Sequence, residues 1–183
     1  MSKALVTFAD GFEDIEAVSI VDVLRRGGVE VVTASLNAEP VARSAHGIQM
    51  STDAVLSEVL AEQYDAVILP GGGEGTQNLK ACAPLLERLR RQKEAGGLVC
   101  AICAAPTVLA EAGVLEEEDV TCYPSCRTEM GRHVEDVPVI ADGQIITGQG
   151  PGSAALFGLV VLAHLTDERT AHNVANGMLE DFS

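Results

Sequence analysis

Leu98-Val99-Cys100-Ala101-Ile102-Cys103-Ala104-Ala105-Pro106-Thr107 is the stretch that decides how this 183-residue chain is read. Leu98–Ile102 is a short apolar run, strand-like in length, and Pro106 marks the first turn of a helix. Only small residues join the two, so the strand passes directly into the helix. Alternating runs of this kind predict an α/β protein with a sheet covered by helices on both faces.

The same alternation extends in both directions. Ala4–Phe8 reads as the first strand, followed by a loop at Ala9–Phe12 and a helix from about Glu13 to Arg26. Its acidic first turns suit the positive helix end, and Gly27-Gly28 stops it. Val29–Ala34 is the second strand. Residues 37–52 read as an irregular or hairpin excursion with a short strand at Ile48–Ser51. A short helix near Val55–Leu60 leads to a buried strand, Tyr64–Pro70, which ends in Gly71-Gly72-Gly73. A helix from Pro84 to Ala95 precedes the opening stretch, and Pro106–Ala112 follows it. Val120–Tyr123 is expected to be a strand, Asp142-Gly143 a hairpin turn, and two helices near 154–165 and 168–179 close the chain. Residues 1–183 read as a single domain, with no repeat and no linker.

Composition narrows the partners. Twelve basic against 27 acidic residues give a net charge of −15, which repels phosphate backbones and anionic lipid. Aromatics are 3% of the chain, too few for base-stacking platforms. Nucleic-acid and membrane binding are therefore not expected, and no apolar run nears a membrane span. The five cysteines and the absence of a signal-peptide pattern suggest free thiols in a reducing cytoplasm.

Ligands of open α/β sheets bind beyond the strands' carboxyl ends. Cys103 sits at such an end, where the strand turns into a helix like a nucleophile elbow with Cys for Ser. The helix start favours thiolate. A small buried core cysteine is the other reading of the same residue. In the Gly-rich loop Pro70–Gly75, the backbone amides can form an oxyanion hole with that of Ala104. The loop lacks the Gly-Lys-Ser/Thr of a phosphate-binding loop.

Cys100-x2-Cys103 and Cys122-x3-Cys126 approach a zinc spacing. Cys100 lies inside the strand and Cys103 past its end, which should send them to opposite faces. His46, His133, His164 and His172 show no pairing with Cys103. The acids Glu13, Asp14 and Glu16 do offer a partner. Buried across the crevice, Glu16 would have a raised pKa and would donate a hydrogen bond to the thiolate. For Glu13 and Asp14 the helix dipole alone is a sufficient account, and for Glu16 the dipole and the buried-acid readings stand side by side.

Asp10–Val18, Val67–Gly72, Ala101–Pro106 and Gly150-Pro151-Gly152, together with the strand Ala4–Phe8, resemble the ThiJ/PfpI superfamily, most of all its Parkinsonism-associated (DJ-one) branch. The likeness runs in order along nearly the whole chain. It implies a flavodoxin-like three-layer α/β/α sandwich with a mostly parallel sheet, and a homodimer. It further implies an oxidation-prone cysteine beside a protonated glutamate, falling on Cys103 and Glu16. The oxyanion amides fall on Gly72 and Ala104, a substrate-contacting acid on Glu13, and a Gly-Pro pocket loop on Gly150 and Pro151.

Two positions depart from the family's patterns. Ala104 stands where the protease-like branch has His, which argues against Cys-His proteolysis. Tyr123 stands where the closer branch often has His, and His46 aligns with a basic residue near the dimer contact. The resemblance implies an enzyme acting on glyoxal, methylglyoxal or their protein adducts, as glyoxalase or deglycase, with no metal or organic cofactor. The alternatives are a redox sensor or redox-dependent chaperone using the same thiol, and a scaffold with an inert Cys103, which a thiol pKa near 8.5 or above would favour.

Overall fold

Along β1 (Lys3–Phe8), Ala4, Val6 and Phe8 enter one apolar core while Leu5 enters another. The same alternation divides β6 (Ala66–Leu69) and β7 (Leu98–Ile102) between the two cores. A central strand with apolar residues on both faces needs helices on both faces, because neither side can be left to water. The computed structural model, which describes residues 1–182, supplies them.

The remaining elements are β2 (Glu30–Ser35), β3 (Val41–Arg43), β4 (Gln49–Ser51), β5 (Ala54–Val55), β8 (Val139–Asp142) and β9 (Ile145–Gly148). The helices are α1 (Asp14–Arg26), α2 (Leu56–Val59), α3 (Gly73–Ala81), α4 (Ala83–Glu94), α5 (Pro106–Ala112), α6 (Ala154–Leu165) and α7 (Glu168–Met178). Seven strands form one sheet in the order β5-β2-β1-β6-β7-β9-β8. All neighbours are parallel except β8 and β9, a hairpin whose turn is Gly143-Gln144, one residue on from the expected Asp142-Gly143. Helices α1, α6 and α7 cover one face, and α2, α3, α4 and α5 cover the other. This is the three-layer, mostly parallel, flavodoxin-like sandwich.

The excursion between β2 and β5 is a small hairpin of β3 and β4. It is tied to the loop before α1 by Gly11 N–H donating to Arg43 O at 2.7 Å and Ala45 N–H to Phe12 O at 2.8 Å. These bonds bring Ser44 and His46 up to the start of α1.

Two elements differ from the sequence reading. Val120–Tyr123 is not a strand: the Thr121 amide donates to the Thr147 hydroxyl at 2.9 Å, and the Tyr123 amide to Cys103 O at 2.8 Å. Its donors are spent on a side chain and on the elbow, so no ladder forms. Gly73–Gly75, read as part of the Gly-rich loop, instead open the helix α3 (Gly73–Ala81), which the sequence reading did not assign. Glycine is a poor helix former, but Gly75 is buried where a Cβ would lie 2.8 Å from the Phe12 amide nitrogen, and the close packing offsets the propensity.

Candidate active site

Cys103 directly follows β7 with φ = +64°, a left-handed backbone that few non-glycine residues adopt. Its amide donates to Gly148 O at 2.9 Å and its carbonyl accepts from Tyr123 at 2.8 Å. These bonds hold the strained turn between β7 and α5, and α5 begins at Pro106. Only 7% of the residue is exposed. The amides of Gly72 and Ala104 lie near enough to its sulfur to favour its charged form.

The left-handed turn also corrects the expected placement of Cys100. Both cysteines belong to the same core, because the strand's alternation stops at Ile102 and the turn redirects Cys103. All five cysteines are free thiols.

Glu16 is fully buried on the first turn of α1. Its amide donates to Glu13 Oε2 at 2.7 Å, and its own Oε2 accepts from the Gly71 amide at 2.7 Å. Its Oε1 is buried with no hydrogen-bond partner among the described residues, and the carboxyl neighbours the Cys103 thiol. A side chain at Gly71 would fill this space: a Cβ there would lie 2.7 Å from Cys103 Cβ and 2.9 Å from Glu16 Oε2. Gly72 is still more constrained. Its φ is +96°, and a Cβ would meet Gly11 O at 2.2 Å. The Gly71-Gly72 pair therefore lets two strand ends approach while leaving amides free to donate.

Burial pushes the Glu16 carboxyl up to about 7. Burial and then the Glu16 charge push the Cys103 thiol up to about 12, against the pull of the Gly72 and Ala104 amides. The helix-start thiolate expected from sequence is thus not the resting form. Near neutral pH the proton rests on sulfur, which meets the condition stated above for an inert Cys103; reaction at this thiol therefore requires the proton to leave only as sulfur bonds to substrate, with the Glu16 carboxylate as the adjacent base. The dipole of the seven-residue α5 is outweighed because sequence position does not reveal how completely the surrounding elements exclude water.

Glu13 serves as the N-cap of α1, through the bond from Glu16 N–H, and its own amide donates to Gly71 O at 3.0 Å. One of its carboxylate oxygens is thereby engaged in positioning Glu16. Asp14, next in sequence, accepts from the Ser44 hydroxyl and pairs with His46 Nδ1 at 2.7 Å. Ser44 and His46 hold its carboxyl below the usual range against the opposing effect of burial, and Asp14 raises the His46 imidazole. Glu13, Asp14 and His46 bring ligand atoms within 4.8 Å of one another. This cluster, and the role of Gly71 in holding Glu16, were not apparent from sequence; only the adjacency of Gly71 to Gly72 pointed that way.

Gly150 and Pro151 lie in the turn after β9, whose Gly148 carbonyl holds the elbow, and they line a surface cleft with Tyr123 and Pro124. A Cβ on Gly150 would lie 3.3 Å from the Tyr123 ring. The loop therefore flanks the segment bonded to Cys103. The described contacts bring Cys103, Glu16, Gly72, Ala104 and Glu13 together, with Gly150 and Pro151 one loop away. Among the described residues no helix is long and apolar enough to cross a membrane.

Known proteins resemble this chain along nearly its whole length. Protein dj-1beta of Drosophila melanogaster is 39% identical over 183 residues, covering 98% of each chain. Glutathione-independent glyoxalase DJR-1.2 of Caenorhabditis elegans is 38% identical over 157 residues, covering 84% of this chain and 82% of that protein. The solved structure of oxidized Toxoplasma gondii DJ-1 superposes with a TM-score of 0.96 at 35% identity, covering all of both chains. Residues 2–164 match the DJ-1/PfpI family. With a full-length likeness in sequence and fold, this chain belongs to the DJ-1/PfpI family.

Proposed function

We propose that this protein is a cysteine-dependent enzyme that converts glyoxal and methylglyoxal, free or as early adducts on proteins, to 2-hydroxy acids. The observation that carries the reading is the left-handed Cys103, which sets its sulfur between the Glu16 carboxyl and the Gly72 and Ala104 amides. The similarity to a glutathione-independent glyoxalase supports the reaction class.

For methylglyoxal, the Cys103 sulfur bonds to the aldehyde carbon while its proton passes to Glu16. The Gly72 and Ala104 amides stabilise the developing oxyanion, which then takes up a proton to give a hemithioacetal. Glu16, deprotonated again, removes the proton from that carbon and returns it to the neighbouring one. The rearrangement leaves a thioester of lactate. Water then attacks the thioester, lactate leaves, and sulfur recovers its proton. The net reaction is methylglyoxal plus water to lactate, with no external oxidant, metal or cofactor. On a hemithioacetal or aminocarbinol adduct, the same thiol captures the dicarbonyl as it is released.

A carboxyl whose pKa is about 7 suits both halves of this task, since neither protonation state is rare at neutral pH. Glu13 caps the helix that carries it and offers its remaining oxygen to substrate, and the Gly150-Pro151 loop walls the pocket. We also take the protein to act as a homodimer. Ile15, Val18 and Ile48 are 57%, 55% and 59% exposed, and the first two share one face of α1. The test is lactate formation from methylglyoxal without glutathione or metal, in wild type and Cys103→Ala. Many lactates per protomer, lost in the variant, support the reading. At most one equivalent consumed overturns it and transfers weight to a redox sensor, in which peroxide oxidises Cys103 once.

A further inference from the structure

At the opposite end of the sheet from Cys103, the segments entering β6 and β7 and the ends of α4 and α6 enclose a cleft of about 870 Å³. That volume is typical of a small-molecule site. Arg88 of α4 lines it while being only 9% exposed. A buried guanidinium ordinarily has a carboxylate partner, because removing its charge from water is costly. Arg88 makes no ion pair with any described residue. Its Nε is buried without a hydrogen-bond partner, and its only contact of that kind is a long one, Nη2 to Glu62 O at 3.4 Å. Its charge lies over the Tyr64 ring, 5.7 Å from the centroid, which offsets part of the cost and fixes the plane of the group. Desolvation holds the guanidinium below its ordinary pKa.

The acids nearby are engaged elsewhere. Glu62 pairs with Lys3 Nζ at 2.9 Å, and Asp65 accepts from the Lys3 amide at 2.7 Å. Arg91 stands at the rim of the same cleft, bonded to Glu87 at 3.0 Å. On the far wall His164 bonds the Val160 carbonyl through Nδ1, which leaves Nε2 for another partner. Glu87 and the cleft's own acids disfavour a highly charged ligand and suit a small one.

We propose that this cleft is a binding site for a small oxyanion-bearing molecule, a phosphate or a carboxylate, whose oxygens complete the guanidinium of Arg88 with help from Arg91 and His164. The planar fork of Arg88 matches both groups. The site is separate from the thiol chemistry, and its occupancy is read without any turnover.

The test is a titration of the ¹⁵N-labelled protein with inorganic phosphate and, separately, with succinate, against sodium chloride at equal ionic strength. The expected result is saturable movement of the Arg88 Nε–H and Gly96 amide signals, with affinity weakened roughly tenfold or more in Arg88→Met. Saturation by phosphate alone assigns a phosphoryl ligand, by succinate alone a carboxylate, and by both a general oxyanion site. Movement no greater than chloride causes overturns the proposal, as does unchanged affinity in Arg88→Met. Signals mapping to the Cys103 end of the sheet overturn it as well. Should Arg88→Met not fold, Arg91→Ala with the wild-type map decides: the signals must still map to this cleft, and affinity must fall.

Discussion

Glu16 binds its proton more tightly in the folded chain than in the unfolded one, from an ordinary 4.5 to about 7, and that difference is a stability cost. The sign follows from the proton count. Below pH 4.5 both states hold the proton and nothing is lost; between about 4.5 and 7 the unfolded chain gives it up while the fold keeps it, so stability falls, and above 7, where the fold must hold a buried carboxylate, the full cost stands. By pH 8 the cost is about 3 kcal/mol. Glu16→Gln is therefore expected to raise the denaturation midpoint at pH 8 and leave it nearly unchanged at pH 4, as read by urea unfolding at the two pH values. The same variant should lower methylglyoxal turnover by roughly 10²–10⁴-fold, since it removes the proton carrier. A more stable but slower protein is the signature of a residue retained for chemistry. His46 and Asp14 give a second pH test with a different shape. The raised imidazole contributes stability below about 6.5 and loses it above, while the lowered carboxyl contributes above about 3.8 and loses it below. Their joint contribution is greatest between those values, so His46→Ala should flatten the pH–stability profile there and leave it unaltered at pH 9.

At the scale of elements, the joints between strands and helices carry the constraint. Gly72→Ala combines a left-handed φ of +96° with a Cβ 2.2 Å from Gly11 O, and it is expected to destabilise by about 2–4 kcal/mol. Gly73→Ala, one residue on, meets nothing within 4 Å and opens α3, so it should cost nothing and stabilise slightly. Chemical denaturation of the two variants side by side checks the contrast. The elbow was legible in sequence because a strand-length apolar run, small residues and Pro106 all act locally. The ends of β1, β6 and β7 were legible for the same reason. Helix α3 was not, since three glycines in a row signal a loop and only its packing on the Gly11–Phe12 loop overrides them. Nor was the state of the thiol: the dipole of α5 can be read from one segment, whereas the burial of Cys103 is the sum of α1, β6 and the Tyr123 segment. Val120–Tyr123 misled in the opposite way, having the composition of a strand but no open backbone neighbour to pair with.

For the whole molecule, the apolar face of α1 and the β3–β4 hairpin is the expected dimer contact. Val18→Asp should shift the species in analytical ultracentrifugation from dimer to monomer, and if wild type already sediments as a monomer the dimer reading falls. The net charge of −15 keeps separate molecules apart at neutral pH, an effect that fades as the pH nears the isoelectric point of about 4.5. The ends of the seven-stranded sheet also bear on assembly. At one margin stands β5, only two residues long, and at the other β8, four residues and antiparallel to its neighbour. A foreign strand arriving at the first margin finds almost no template, and at the second only a short one. Growth of the sheet from molecule to molecule is thereby choked at its source, which leaves self-association to the helical and hairpin face, where the proposed two-fold pairing would close at two copies instead of running on as a fibre.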